Sequence, residues 1–418
     1  MLSRRSMVTG AGTGVAAATA ALVMTGVPTT AAQATTPLPN WINVSAYASV
    51  NAAFAAVSST QNVLYFPAGS YTITSTINIS FQDVTFIGDG AGSSIITSSV
   101  SASDTIYANN VTNLSIYGLQ IQAPTGASSG AVIHTGATSN VYLSDVTISG
   151  GFVGVQMDAS PSGTTGSDFR YILRDFFILS TVSSAILVGS NATTGMHPPA
   201  DVFLGSGMIS ACGAGITINC TGGLYADNVD IAGCSGAGIT ILPASNQWVT
   251  TARFNQVLCD TCSYGWIIGG SGAANGIELS SCWASMNTHA GIDINGSGVN
   301  GVVITGGYFG SNGQDGIRLD AGTNLTINGA QVFDNNTTNS GYSGITIQSG
   351  SGFQITNCLS GVGGVGGSTN HQSYGIAIFS STSNNFIVTS NRLPGNVSGG
   401  LVNYATGANQ VVTNNINF

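Results

Sequence analysis

Lysine is absent, glutamate occurs once, and charged residues make up only 6% of the 418 residues. Coiled coils and long helix bundles need Glu, Lys and Leu in quantity, so neither fits. Nucleic-acid binding takes clustered Lys and Arg to neutralise phosphates. Here seven Arg face 16 acidic residues, for a net charge of −9 and a pI of about 4.4. Tryptophan is scarce as well, at four residues, which tells against a β-propeller, whose blades of about 40 to 45 residues carry a Trp-Asp signature. What the chain does hold is 58 Gly and 43% hydrophobic residues. That hydrophobic content suffices for a core and excludes disorder.

Ser3-Arg4-Arg5-Ser6-Met7 opens a twin-arginine pattern, followed by a weakly apolar Ala/Gly stretch and the small-residue site Ala32-Gln33-Ala34. Residues 1–34 therefore read as a signal peptide of the bacterial twin-arginine type, which implies export to the periplasm or outside the cell. Residues 35–61 form an N-terminal segment. Within it, Tyr47, Val50, Phe54 and Val57 recur at helical spacing and predict an amphipathic capping helix.

From residue 62 to 418 one phrase returns: Gly215-Ile-Thr-Ile, Gly238-Ile-Thr-Ile, Gly265-Trp-Ile-Ile, Gly291-Ile-Asp-Ile, Gly316-Ile-Arg-Leu, Gly344-Ile-Thr-Ile and Gly375-Ile-Ala-Ile. The interval is about 26 residues, and a second strand such as Gly301-Val-Val-Ile-Thr lies between copies. A unit this short cannot bury its own apolar edge. Repeated strand and turn without helices predicts an all-β parallel β-helix solenoid, on the order of 13 coils stacked about 4.8 Å apart. Asn and Gly suit its corners because they tolerate left-handed backbone.

The opening of this region, Val63-Leu-Tyr65-Phe66-Pro67-Ala68-Gly69-Ser70-Tyr71 and then Val84-Thr-Phe86-Ile87-Gly88-Asp89-Gly90, resembles the pectate-lyase-like right-handed parallel β-helix superfamily. That superfamily includes rhamnogalacturonase/epimerase-type and phage tail-spike-type proteins. The resemblance implies a right-handed β-helix and polysaccharide as the partner. It transfers no single reaction, because hydrolases, lyases, epimerases and non-catalytic surface proteins share the fold.

In Gly-Ile-x-Ile the two Ile point inward, so position x forms an outward row across coils: Gln156, Leu187, Thr217, Thr240, Ile267, Asp293, Arg318, Thr346, Ala377. Asp293, Asn295, Arg318 and Asp320 concentrate charge on two adjacent coils, with His289 and Asp315 on the turns just before them. Asn287–Asp293 and Asn312–Ile317 loosely resemble the acidic coil motifs of polygalacturonases. Only Asp315 matches, since Ala290, Gln314, Ser343 and Ala377 replace the expected functional residues. Asp293 with Asp315 or Asp320 is a candidate carboxylate pair for glycosidic cleavage, in which one group donates a proton and the other activates water. The alternative is that Asp293 and Arg318 satisfy each other across stacked strands. Arg253 and Glu278 pose the same choice on another face, and Trp283 with Tyr308 is a candidate sugar platform.

Hydrolysis is favoured over elimination. A polysaccharide lyase would need a Lys, Arg or Ca²⁺ to neutralise a uronate, and the acids are too dispersed for an oxygen cage, so no metal or cofactor is assigned. Asp227 and Asp230 are the nearest acidic pair on one strand, and the loop from Gly189 to Ala200, with His197, is placed to overhang a groove. A non-catalytic glycan-binding solenoid is the other alternative, as monomer or homotrimer. The seven Cys read as stacked buried thiols, with Cys212, Cys234 and Cys262 at equivalent turns and Cys259 and Cys282 at equivalent inward positions.

Overall fold

The computed structural model describes residues 41–161, 169–363 and 371–417. Residues 1–40, which include the expected signal peptide, and residues 162–168, 364–370 and 418 lie outside them. The described chain winds as a parallel β-solenoid. One face is a 13-stranded parallel sheet running from Ile77–Ile79 to Gly399–Asn403. The other two sides of each coil belong to a 24-stranded sheet.

The coil beginning at Ile292 shows how sequence becomes rung. Ile292–Ile294 forms the first face, Val299–Thr305 the second and Tyr308–Gly310 the third. Alternation sends Ile292, Ile294, Val302, Ile304 and Phe309 into the interior, where all are buried. Each such side chain contributes about 1.5–3 kcal/mol by leaving water. Between the second and third faces the chain turns on Gly306 and Gly307, at φ 62° and 88°. There a side chain would strain the backbone, and at Gly307 a Cβ would also strike the carbonyl of Cys282.

The corner leading back to the first face is built differently. Its left-handed residue is Ala211, Gly233, Thr261, Met286, Ser311 and Asp334 on successive coils, so Gly and Asn are not what marks it. The residue after it points inward: Cys212, Cys234 and Cys262, then Asn287, Asn312 and Asn335, all buried. The amides form a ladder, with Asn287 Nδ2 donating to Asn312 Oδ1 and Asn312 Nδ2 to Asn335 Oδ1, each at 2.9 Å. Asn335 Nδ2 continues to Gln372 Oε1 at 2.9 Å. Each ladder oxygen also accepts a backbone N–H from the coil before, as Asn287 Oδ1 does from Cys262 N. Left-handed geometry costs L-residues about 1–2 kcal/mol, and these bonds offset it.

Two expectations need correction. The N-terminal segment has a strand Trp41–Asn43, a 3-10 turn Val44–Ala46 and an α-helix of only five residues, Val50–Phe54. Asn43 and Ser49 side chains accept the N–H groups of Ser45 and Ala52. This local capping starts two short turns where the apolar spacing alone predicts one longer helix. Cys282 is not level with Cys259, whose register partner is Ala284; it stands at the corner beside Val257. All seven Cys are free and buried, and Cys212, Cys234 and Cys262 do stack at one corner.

Candidate functional site

The register fixes what the first face presents. Tyr107, His134, Gln156, Leu187, Thr217, Thr240, Ile267, Asp293, Arg318, Thr346 and Ala377 are successive Cα partners, so the outward row stands as the repeat predicts. Position −3 relative to this row lies at the entry edge of the face, and position +2 at its exit edge.

Asp293 and Arg318 are neighbours on this row, but the ion pairs of Arg318 are with other groups. Its Nε donates to Asp320 Oδ1 at 2.7 Å and its Nη1 to Asp315 Oδ2 at 3.5 Å. Asp315 is at the entry edge and buried. Its Oδ1 accepts from Ser343 N at 2.7 Å and Thr346 Oγ1 at 2.6 Å. Burial pushes the Asp315 pKa up, opposed by those two donors and Arg318. Burial also works against charge on Arg318, but Asp320, Asp315 and Asp293 outweigh it and raise its pKa.

Asp293 is held otherwise. Oδ2 accepts from Asn295 Nδ2 at 3.0 Å, while Oδ1 is buried with no partner. Burial raises its pKa first and the charge of Asp320 adds to this, against Asn295 and Arg318. Gly269 makes room for the arrangement, because a Cβ there would collide with Asn295 Oδ1. A rung spacing of about 4.8 Å and a rise of about 3.3 Å per residue put roughly 8 Å between the Asp293 and Asp320 backbone positions.

His289 and Tyr264 flank the entry side, stacked at 4.5 Å and 9°. His289 Nδ1 lies 3.1 Å from Ser263 Oγ and 3.2 Å from the Ser263 carbonyl, which fixes the orientation of the ring. Burial, followed by the charge of Asp293, raises the Tyr264 pKa.

The remaining predicted residues are elsewhere. Trp283 and Tyr308 lie on the third face, stacked on each other at 4.2 Å and 29°. Tyr308 is buried and packs toward Phe333, while Trp283 is half-buried and its Nε1 donates to Ser285 Oγ. Arg253 and Glu278 pair at 3.1 Å on the second face, both half-exposed. A pair so exposed is worth little.

A second polar cluster on the first face was only faintly legible. His134 Nδ1 and Nε2 each lie 2.9 Å from a carboxylate, Asp104 Oδ2 and Asp158 Oδ2. Tyr107 tilts over the imidazole at 4.8 Å. Gln156 Nε2 and Ser190 Oγ donate to Asp158 Oδ1. Burial would pull the His134 pKa down, but the two carboxylates outweigh it and raise it to about 9. His134 is thus an imidazolium with both N–H groups committed. Asp104 stands at the entry edge and Asp158 at the exit edge, the positions of Asp315 and Asp320 around Arg318. Both clusters are a cation clamped between an entry and an exit carboxylate.

Beside Asp158 rises a wall. Ser160–Pro161 pairs antiparallel with Met196–His197, Asn191 bonds both backbone groups of Ala159, and Ala159, Ala192, Cys220 and Met196 form a small apolar cluster beneath. The loop from Gly189 to Ala200 thereby stands at the exit edge of the face. A concavity of about 350 Å³ lies far from this, against the N-terminal turns at Tyr47 and Tyr71, and no charged side chain lines it. Among the described residues no three His, Cys, Asp or Glu side chains gather to hold a metal ion. Asp227 is bonded to Asn255, and the oxygens present do not fit a Ca²⁺ cage.

With the fold and face described, the relatives are informative. The family described as "right handed beta helix region" matches residues 214–416, and the described chain has the fold of a right-handed parallel β-helix. Among solved structures it is similar to the A-module of a mannuronan C-5 epimerase from Azotobacter vinelandii, at 12% identity and TM-score 0.56, covering 89% of this chain and 99% of that one. The catalytic unit of a GH87 α-1,3-glucanase from Streptomyces thermodiastaticus aligns at 15% identity and TM-score 0.56, over 92% and 71%. Pre-mature gene product 12 of bacteriophage phi29 aligns at 14% and TM-score 0.62, over 89% of this chain and 57% of that one. At such identities the likeness is one of fold. No curated protein matches the chain in sequence.

Proposed function

We propose that this is an exported polysaccharide-active protein that hydrolyses glycosidic bonds on the first face, with Asp293 as general acid and Asp320 as the base that activates water. The observation that carries the reading is the contrast between two carboxyl groups on adjacent rungs. Asp293 is desolvated, with one oxygen unpartnered and its pKa raised, whereas Asp320 is ion-paired to Arg318. A desolvated carboxyl beside an ion-paired one is an arrangement in which acid and base roles can be divided. They stand on adjacent rungs with their backbones roughly 8 Å apart, and an inverting mechanism needs two carboxyl groups with room for a water between them.

The other residues support these two. Asp315, closed off from solvent, orients Arg318; Arg318 holds Asp320; Asn295 fixes Asp293. His289 Nε2 and the Tyr264 phenol remain to bind sugar hydroxyls. Structural relatives named as an α-1,3-glucanase and a mannuronan epimerase fit a polysaccharide partner, and Arg4-Arg5 supports export. Incubation with a panel of polysaccharides tests the reading: new reducing ends without absorbance near 230 nm, lost in Asp293→Asn, are expected. Unsaturated products would mean elimination, and binding without products would mean a glycan-binding module.

A further inference from the structure

The first face carries five carboxylates, Asp104, Asp158, Asp293, Asp315 and Asp320, and two cations, His134 and Arg318. Neither cation is spare. Both ring nitrogens of His134 bond to carboxylates, and Arg318 serves two carboxylates at once. The chain has no Lys, and Arg174 and Arg253 sit on other faces beside Asp175 and Glu278. Between the two clamps the outward row is Leu187, Thr217, Thr240 and Ile267, a floor of hydroxyls and small apolar surfaces with no charge. A polymer lying along this floor therefore meets excess negative charge at both ends, where His134 and Arg318 are already engaged by carboxylates.

We infer that the first face accepts a polysaccharide whose units bear no carboxylate or sulfate, that is, a neutral or amino-bearing glycan, and rejects polyuronates. The inference rests on the hydrolase reading for the location of the site, and adds the substrate class. Recognition of an acidic sugar needs an available guanidinium or ammonium in a bidentate or point-charge contact. Here such contacts are already made within the protein, and like charges placed in a low-dielectric groove repel.

The test uses the purified full-length protein and three polymers: a neutral α-glucan, partly deacetylated chitosan, and polygalacturonate together with its carboxyl-reduced, neutral form. Binding and product release are measured at low and high salt. Expected are binding of the neutral or the amino-bearing polymer and, for the matched pair, at least about tenfold tighter binding of the carboxyl-reduced form. Salt dependence tells the two supporting cases apart, because only an amino-bearing ligand weakens as salt rises. Cleavage of polygalacturonate, or tighter binding of it than of its reduced form at low salt, overturns the inference while leaving the glycan reading intact. Failure to bind or cleave any of the polymers overturns both.

Discussion

Asp293, Asp315 and Asp320 lie within two rungs of one another, and their surroundings assign them different work. General acid catalysis typically supplies 10²–10⁴-fold, so Asp293→Asn is expected to lower kcat by about that factor with KM little changed, read from initial rates of reducing-end release. Because the acid must be protonated and its pKa is raised by burial and by Asp320, activity should fall as pH rises through that pKa, and this alkaline limb should vanish in the variant. Asp315 is a support instead. Its removal strands Arg318, Ser343 N and the Thr346 hydroxyl, and breaking a buried pair costs about 3–5 kcal/mol. Asp315→Ala should therefore destabilise the rungs around it by about that much, read as a shift of their urea unfolding to lower concentration.

His134 makes a separate prediction. A free imidazole titrates near 6.5 and the folded one at about 9, so folding takes up a proton between these values. The stabilisation, about 3 kcal/mol at about 1.4 kcal/mol per pH unit, is complete below pH 6.5 and is lost as pH rises through 9. The lowered pKa of Asp158 is the other side of the same contact and is counted once. Chemical denaturation from pH 6 to 8 should show the start of this loss in the wild type and not in His134→Gln, whereas above pH 8 the buried thiols, whose pKa values burial raises, add a loss common to both.

At the scale of the element, the corner ladder ties one rung to the next. Asn312 Oδ1 accepts from both Asn287 N and Asn287 Nδ2, and its own Nδ2 donates to Asn335 Oδ1 and the Ala284 carbonyl. Asn312→Ala takes the partner from Asn287 N and from the Ala284 carbonyl, at about 1–3 kcal/mol each, while Asn335 Oδ1 and Asn287 Nδ2 keep Asn312 N and the Cys259 carbonyl, so a loss of about 2 kcal/mol or more is expected in thermal or urea unfolding. The outward row was legible because Gly-Ile-x-Ile reports the inward positions directly, which in turn placed Asp293 beside Arg318. The ladder was not, because an Asn near a turn reads equally as a left-handed residue or as a stacked amide, and only the coordinates show Met286 and Ser311 in the strained position. The His134 clamp escaped because its three members come from three coils. Its one sequence signal is an offset: Asp158 stands two residues past row member Gln156, as Asp320 stands two past Arg318. Trp283 and Tyr308 look alike whether they face solvent or each other, so pairing on adjacent coils did not tell platform from packing.

Across the described coils most contacts are between neighbours, and stability is close to a sum of rung and interface terms, with a few bonds such as Gln247 Nε2 to the Ala192 carbonyl reaching two coils away. The last coil is the least protected, with Tyr404, Val411 and Ile416 about half exposed. Hydrogen exchange followed by mass spectrometry should find amides of 399–417 exchanging well before those of 266–310, with unfolding that is not two-state. The same stacking divides the surface into parts with unequal freedom to change length. One residue inserted into Ile292–Ile294 or Ile317–Leu319 would turn the strand inside out and dismantle both clamp and floor. The tip of the wall, residues 193–198, lies outside the rung period and can lengthen or shorten while the clamp and the rungs stay in place. Descendants of this sequence can thus remodel which sugars fit by editing one loop, while the machinery beneath keeps its pitch.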